Sequence, residues 1–346
     1  MKNLKFSICL PSYNGADVIN ETIQSILSQD FTNFEIIIVD DNSKDNTEEV
    51  IFKIDDIRVK FYKNSVNLGY PKNLEKCRQQ ATGDIIYLMG QDDILAKGAL
   101  SSTYEAFMLS DDIGAVTRPY YWFDEEITKP VRAKDQFNKN EDSIISIHDG
   151  DEAVIAVFKT LDQLSGLAYR KNYMDIPFHE DIFPCHIYPF ASIFKKHKIM
   201  YLKDYTIAVR IQSSQTRKIS SIYEKSPIQS WVDMFENVFY ETEFANLKQK
   251  CIKNFVAVNY VGLIQIKNYA KYRYLLREIL LLIKYRRNNL CNVQFWFFSI
   301  GTMVSPSCLL IPLVDIYKNK ISSKLLRNIK FNYILKRNGN SSDANE

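Results

Sequence analysis

Gly83-Asp-Ile-Ile-Tyr-Leu-Met-Gly-Gln-Asp-Asp93 decides how this chain is read. An apolar run from Ile85 to Met89 stops at two adjacent carboxylates, Asp92 and Asp93. A short uninterrupted apolar run is the pattern of a strand buried on both faces. In open α/β sheets, ligands bind where such strands end. Paired acids at that place are hard oxygen donors suited to a divalent cation. An Asp there also caps a following helix, so the stretch alone leaves both roles open.

The residues upstream repeat the pattern. Phe6 to Leu10 is apolar and stops at Pro11-Ser12-Tyr13-Asn14-Gly15, a strand running into a turn. Val18, Ile19, Ile23, Ile26 and Leu27 have helical spacing. Phe34 to Val39 is a second apolar strand and ends in Asp40-Asp41-Asn42-Ser43. A helix over Thr47–Ile54, a strand over Arg58–Tyr62, a loop holding Asn67-Leu68-Gly69 and a helix over Pro71–Ala81 complete the run to Ile85. Alternation of this kind predicts a doubly wound, mostly parallel, Rossmann-like α/β sheet. Parallel strands bring their C-terminal ends to one edge, so the three polar endings are expected to form one composite site. No GxGxxG follows the first strand and no GxxxxGK[ST] occurs, which disfavours dinucleotide-binding and P-loop sites.

Downstream, a helix is expected over Gly98–Leu109, a strand over Ala115–Tyr121, and a polar, mobile connection over Trp122–Asn140. A helix from Gly150, a strand-like Leu164–Tyr169, a helix over Phe190–His197 and strands over Ile199–Leu202 and Tyr205–Ile211 follow. From Ile228 the pattern is helical to the end, and residues after Lys336 read as a disordered tail. Composition is that of a folded chain, 46% apolar and 25% charged. A net charge of +3 gives no reason to expect a nucleic-acid partner. Six cysteines without a CxxC pair point to free thiols rather than a zinc site. The charged Met1–Lys5 lacks an apolar run of leader length, so no cleaved signal peptide is expected.

Five blocks, in order, resemble the family 2 glycosyltransferases. They are Ser7-Ile-Cys-Leu-Pro-Ser-Tyr-Asn14, Ile23-Gln-Ser-Ile-Leu-Ser-Gln29, Glu35-Ile-Ile-Ile-Val-Asp-Asp-Asn-Ser43, Asn67-Leu-Gly69, and Ala81-Thr-Gly-Asp84 ahead of Asp92-Asp93. The resemblance implies a GT-A fold and inverting sugar transfer from a nucleotide-diphosphate donor, here a UDP- or dTDP-sugar, with Mg²⁺ or Mn²⁺. The resemblance is strong to about Leu100, weak to about Gln215 and absent beyond; the domains expected are 1–222 (a nucleotide-sugar half, 1–100, and an acceptor half, 101–222), then, from the sequence pattern, a mostly helical C-terminal region, 223–336, and a tail, 337–346. Carried over, Pro11 and Tyr13 line the nucleobase pocket, Asp41 binds the base, and Ser12, Asn14, Asn67 and Gly69 complete the donor site. Asp92, the last acid of the family's DxD, holds the metal. The chain departs from that motif: its first acid is Gly90, which keeps a catalytically impaired nucleotide-sugar binding protein as an alternative. Gln91 is then a candidate for the donor's ribose, and Asp93 either supports Asp92 or caps the next helix.

The family takes its general base from a Glu-Asp pair before a helix, and Glu180-Asp181 supplies that chemistry. Counting back from Lys198–Asp204, which resembles the strand after that helix, places the slot on Cys185-His186 instead. Asp181 (or Glu180) and His186 therefore stand as rival bases. Arg210, with Gln212, Ser214 and Arg217, is a candidate for closing over the diphosphate, against a solvated basic loop. Val293–Val314 is apolar over a membrane-scale length, but Pro306, Pro312 and Gln294 interrupt it. With basic flanks on both sides, it is expected to lie on the inner face of the cytoplasmic membrane as a peripheral anchor. A glycan or lipid-linked glycan acceptor of bacterial surface polysaccharide synthesis is implied there. A buried helical hairpin is the competing expectation.

Overall fold

In the computed structural model, residues 3–212 and 220–334 are described. Four strands lay down the expected parallel half-sheet: β1 (Phe6–Ser12), β2 (Phe34–Asp40), β3 (Val59–Lys63) and β4 (Ile85–Leu88). Their order is β3-β2-β1-β4, with β1 parallel to both β2 and β4 and β2 parallel to β3. Every residue of β1, β2 and β4 is buried, including Ser7 and Glu35, where the Ser7 hydroxyl donates to the Glu35 carboxylate (2.7 Å). Helix α1 (Ile19–Leu27) lays Ile19, Ile23 and Ile26 on the sheet. Helices α2 (Thr47–Phe52) and α3 (Tyr70–Gln80) make the next crossovers.

The sheet then changes character. β5 (Ile94–Leu95) leaves it directly after Asp93, and α4 (Ala99–Leu109) leads to β6 (Ile113–Thr117). The same sheet gains β9 (Ser143–Ile145), β10 (Ala168–Arg170) and β11 (Lys198–Tyr201), giving the order β3-β2-β1-β4-β10-β6-β11-β9. β10 runs antiparallel between β4 and β6, so the sheet is mixed beyond β4. Helices α5 (Asp151–Phe158) and α6 (Ile187–Lys196) belong to this half.

A second, four-stranded sheet has the order β5-β12-β7-β8, with β7 (Tyr121–Phe123), β8 (Pro130–Ala133) and β12 (Ile207–Arg210). This corrects two expectations. The strand expected over Ala115–Tyr121 is two strands, β6 and β7, in different sheets. The Trp122–Asn140 connection contains the β7–β8 pairing, which alternating Tyr121 and Phe123, both buried, hold against a small apolar cluster with Ile94 and Ala208.

By contacts the described residues fall into two units. One contains 3–180, 185–212 and 326–334, and the other 181–184 and 220–325. The second unit is helical, as its sequence pattern predicts. Its main helices are Pro227–Val238, Ala245–Asn254, Gly262–Tyr269, Tyr272–Tyr285, Val293–Val304 and Ser307–Ile316. Inside it, the fully buried Glu278 accepts hydrogen bonds from Ser226 Oγ (2.8 Å) and Ile228 N (3.2 Å), tying two helices together. Residues 326–334 depart from the helical expectation. They form a strap on the sheet unit, with Ile329, Phe331 and Tyr333 against the Ile94–Tyr121–Phe123–Ala208 cluster. Among the described residues, no helix is long and apolar enough to cross a membrane.

Candidate active site

β1, β2 and β4 end on the same edge, and backbone and side-chain hydrogen bonds tie their endings together. Asp41 N donates to Ser12 O (2.8 Å), which fixes the two turns side by side. Asp41, buried, then accepts from three donors: Asn64 Nδ2 (2.9 Å), Leu68 N (2.8 Å) and Gly69 N (2.8 Å). Its carboxylate thereby orders the Asn67-Leu68-Gly69 loop, in which Asn67 Oδ1 also accepts from Gly69 N (3.1 Å). A carboxylate has about four acceptor sites, so Asp41 keeps room for one more donor. Asn64 and Asn73 are parts of this arrangement that the sequence reading missed. Asn73 Oδ1 receives Asn64 Nδ2 (2.9 Å), and its own Nδ2 donates to Val39 O (2.9 Å). The signal was present: an Asn on the buried face of α3 beside Leu74 and Cys77.

Pro11 and Ser12 are buried, Tyr13 is half-buried and Asn14 is exposed. Asn14 has φ 49 and is pinned in that left-handed conformation, its N donating to Ser43 Oγ (2.8 Å) and its Oδ1 accepting from Lys44 N (2.8 Å). Asp40 in turn accepts from Ser43 N (3.0 Å) and from the Ser43 hydroxyl.

Gln91 joins the first ending to the third. Its Oε1 accepts from Ser12 Oγ (3.0 Å) and Tyr13 N (2.9 Å), and its Nε2 donates to Tyr13 O (3.1 Å). The amide expected to reach a ribose is thus engaged with the backbone of Tyr13. This contact also explains Gly15, since a Cβ there would lie 2.5 Å from Gln91 Oε1.

Asp92 is half-buried at the mouth of the edge, and Asp93 is buried behind it. Asp93 accepts from Ser165 Oγ (2.5 Å), Gln163 Nε2 (2.6 Å) and Arg210 N (3.0 Å). Burial, and then the neighbouring Asp92 charge, push its carboxyl up to about 8. Asp93 therefore supports the turn that presents Asp92. Gln163 and Ser165 carried no sequence signal, because their partner is some seventy residues away in the chain. A Cβ on Gly90 would stand 2.9 Å from Asp93 Oδ2 and 3.2 Å from Asp92 Oδ1. The glycine that replaces the motif's first acid is therefore packed against the other two.

Arg210 is held where β12 ends. Its Nη2 pairs with Glu21 (2.5 Å), its Nε donates to Asp92 O (3.2 Å), and its guanidinium lies 4.8 Å from the Phe123 ring centroid. It braces the Asp92–Asp93 turn from below. Ser214 and Arg217, its expected companions, lie outside the described residues.

The rival bases are in different surroundings. Glu180 is exposed and pairs with Lys72 (3.5 Å). Asp181, in the helical unit, is buried and accepts from Ser230 Oγ (2.7 Å) and Phe183 N (3.2 Å), with Lys225 Nζ at 3.7 Å. His186 is buried in the sheet unit with Nε2 2.9 Å from Leu161 O. A carbonyl only accepts, so Nε2 carries the proton, and the basic Nδ1 faces Cys185 Sγ (3.8 Å). Burial lowers this imidazole to about 4. His186 is thereby occupied as a packing and hydrogen-bonding residue.

Among the described residues, no three His, Cys, Asp or Glu side chains gather into a cage for a metal. A single forward carboxylate still fits a divalent ion of the Mg²⁺ type, which keeps several waters and is bound by one or two carboxylates together with substrate phosphates.

Comparison with known proteins speaks for the family and the fold. The glycosyl transferase family 2 model matches residues 7–159. A Campylobacter jejuni GalNAc(5)-diNAcBac-PP-undecaprenol beta-1,3-glucosyltransferase is 37% identical over 101 residues, 28% of this chain and 33% of that protein. The abequosyltransferase RfbV of Salmonella typhimurium is 31% identical over 182 residues, 49% of this chain and 54% of that one. The chain thus spans about a third to a half of the length of these curated relatives. Residues 1–349 of Staphylococcus aureus TarS, in complex with UDP-GlcNAc, superpose with a TM-score of 0.64 over 98% of both chains at 16% identity. A Pyrobaculum calidifontis mannosyltransferase with GDP-Man and Mn²⁺ superposes with a TM-score of 0.54 over 94% of this chain and 88% of that one, at 12% identity. At such identities the superpositions speak for the fold alone. Residues 7–159 thus match the glycosyl transferase family 2 model, and the sheet unit has the GT-A fold.

Proposed function

We propose that the protein transfers a hexosyl residue, with inversion, from a UDP- or dTDP-sugar to a glycan or lipid-linked glycan in bacterial surface polysaccharide synthesis. The observation that supports this most is the joining of Tyr13, Asp41 and Asp92 at one sheet edge by Gln91 and the Asp41–Ser12 contact. Tyr13 offers a half-buried ring to a nucleobase and Asp41 a remaining acceptor to a base N–H. Asp92 would hold Mg²⁺ or Mn²⁺, which when bound offsets the charge gathered on the departing diphosphate. An acceptor hydroxyl attacks the anomeric carbon while a base takes its proton, and the nucleoside diphosphate leaves from the opposite face. We assign the base to Asp181, with Glu180 beside it, because the proton-accepting nitrogen of His186 faces a buried thiol. The undecaprenol-linked substrate named for the Campylobacter jejuni relative favours a lipid-linked acceptor and a site of action at the inner face of the cytoplasmic membrane.

One experiment tests the assignment. Donor hydrolysis and transfer are compared at saturating donor for Asp92→Ala, Asp181→Asn and His186→Gln. The first two are expected to lose at least about 100-fold in turnover, and the third to stay within about fivefold. Activity and metal dependence surviving Asp92→Ala would overturn the metal role, and a large loss in His186→Gln alone would move the base there. Gly90 in place of an acid favours one alternative, a nucleotide-sugar binding protein without catalysis. Calorimetric donor binding with no turnover across an acceptor panel would select it.

A further inference from the structure

The helix Val293–Val304 is inside out for a helix of a water-soluble unit. Its buried positions are Phe295, Ser299 and Thr302, two of the three polar. Thr302 satisfies its hydroxyl within the helix, on Phe298 O (2.7 Å), and Phe295 packs its ring against Tyr260 with centroids 5.7 Å apart. The outward stripe is apolar and follows helical spacing: Val293, Phe297, Ile300 and Val304, exposed by 85%, 73%, 48% and 72%. Trp296 stands beside it with its indole N–H on Leu290 O (2.8 Å). The next helix, Ser307–Ile316, continues the surface with Leu309, Leu313 and Ile316 exposed, and none of its residues is buried. Singly exposed apolar residues are ordinary, whereas a stripe continued over two successive helices marks an interaction surface.

Charge indicates what the surface meets. Between Glu278 and Asp315 the chain has no Asp or Glu, while Lys284 and Arg287 are exposed. The exposed Lys324 follows beyond Asp315. A symmetric contact between two copies of this segment would bring two net-positive stretches together. Length settles the orientation. Helices of 12 and 10 residues are about 18 and 15 Å long, short of a hydrocarbon core of about 30 Å, and Ser305-Pro306 separates them. They can lie in an interface but do not span it.

We propose that the outer face of Val293–Ile316 docks on an anionic lipid bilayer, with Phe297, Ile300, Leu309 and Leu313 at the headgroup–acyl boundary and Trp296 at its polar rim. This deepens the membrane placement proposed above. Vesicle binding is measured without turnover, so either reading can fail alone. The full chain is sedimented with phosphatidylglycerol-containing or pure phosphatidylcholine vesicles at low and at 1 M salt. Binding to the anionic vesicles at low salt, weakened by salt and weaker on neutral vesicles, is expected. Phe297→Glu with Ile300→Glu changes only exposed side chains and should lower the partition coefficient at least about tenfold with an unchanged melting temperature. Wild-type protein left in the supernatant with anionic vesicles at low salt overturns the proposal. So does a dimer in light scattering that the double variant converts to monomer. Equal binding to both vesicle types overturns the role of charge.

Discussion

At the scale of single residues, the departures from the family's pattern turn out to be packed rather than empty. Gly90 sits where a Cβ would press on Asp93 and Asp92, and Asp93 cannot give way because Ser165, Gln163 and Arg210 N hold it. Restoring the motif's first acid as Gly90→Asp should therefore not strengthen the site. It should lower stability by about 1–3 kcal/mol and weaken donor binding, read by thermal unfolding and calorimetry. Tighter Mn²⁺-dependent donor binding in the variant would refute the packing argument. His186 gives a second prediction. Its imidazole titrates near 4 when folded against an ordinary 6.5, so the unfolded chain takes up the proton first as pH falls. The His186 contribution to stability should then decline from about pH 6.5 to about pH 4, by up to about 3 kcal/mol, and be flat above that window. His186→Gln keeps a donor for Leu161 O and removes the titration, so this component of the decline should vanish in urea melts taken across that range. Asp92, Asp41 and Tyr13 were legible because each closes an apolar strand. Gln163, Ser165 and Asn64 were not, because hydrogen bonds between remote loops leave no local pattern.

Elements followed their periodicities closely where the periodicity was one-sided or continuous. β1, β2 and β4 are uniformly buried and were read from their apolar runs, and α1 from its Ile spacing. Reading failed where strands are short and lie among polar residues. β7 and β8 hold only three and four residues, and the strand-forming Tyr121-Trp122-Phe123 of β7 runs straight into a polar stretch that hid it. The strap carried a signal that a helical reading overlooked: Ile329, Phe331 and Tyr333 alternate with Lys330 and Asn332, a period of two. Its backbone is fixed through Lys97 N to Asn332 O (2.7 Å), and Phe331 meets Tyr121 edge-on with centroids 5.1 Å apart. The cluster it covers includes Ile94, next to Asp93, and Phe123, beneath Arg210. Phe331→Ala should cost about 1–3 kcal/mol, less than a fully buried Phe because the ring is half-buried. It should also make the region around Ile94 and Phe123 exchange amide hydrogens faster. Unchanged stability and exchange would mean the strap is not a structural part of the sheet unit.

For the whole molecule, the sheet unit is discontinuous in sequence: residues 181–184 and the long helical segment leave it before the strap returns. A boundary drawn at residue 222 from composition alone could not anticipate that, since the returning segment is nine described residues in a basic, helix-rich context. The consequence is that the donor edge should be sensed by the stability of the unit as a whole, because strands from its first ninety residues and the strap on its second sheet belong to one unit. Ligand bound only to the folded state adds RT ln(1 + [L]/Kd), about 2.7 kcal/mol at a hundredfold excess over Kd. A UDP- or dTDP-sugar with Mn²⁺ should therefore raise the melting temperature by several degrees, and GDP-sugars should raise it less. EDTA should remove most of the shift, since the diphosphate then meets Asp92 without a bridging cation and like charges repel. Asp92→Ala should abolish the dependence on Mn²⁺ while leaving a smaller, metal-independent shift from the nucleoside held at Tyr13 and Asp41. A full shift in EDTA, or in Asp92→Ala with Mn²⁺, would show that the diphosphate is held by cationic side chains instead, and would move attention from Asp92 to the basic residues that follow β12.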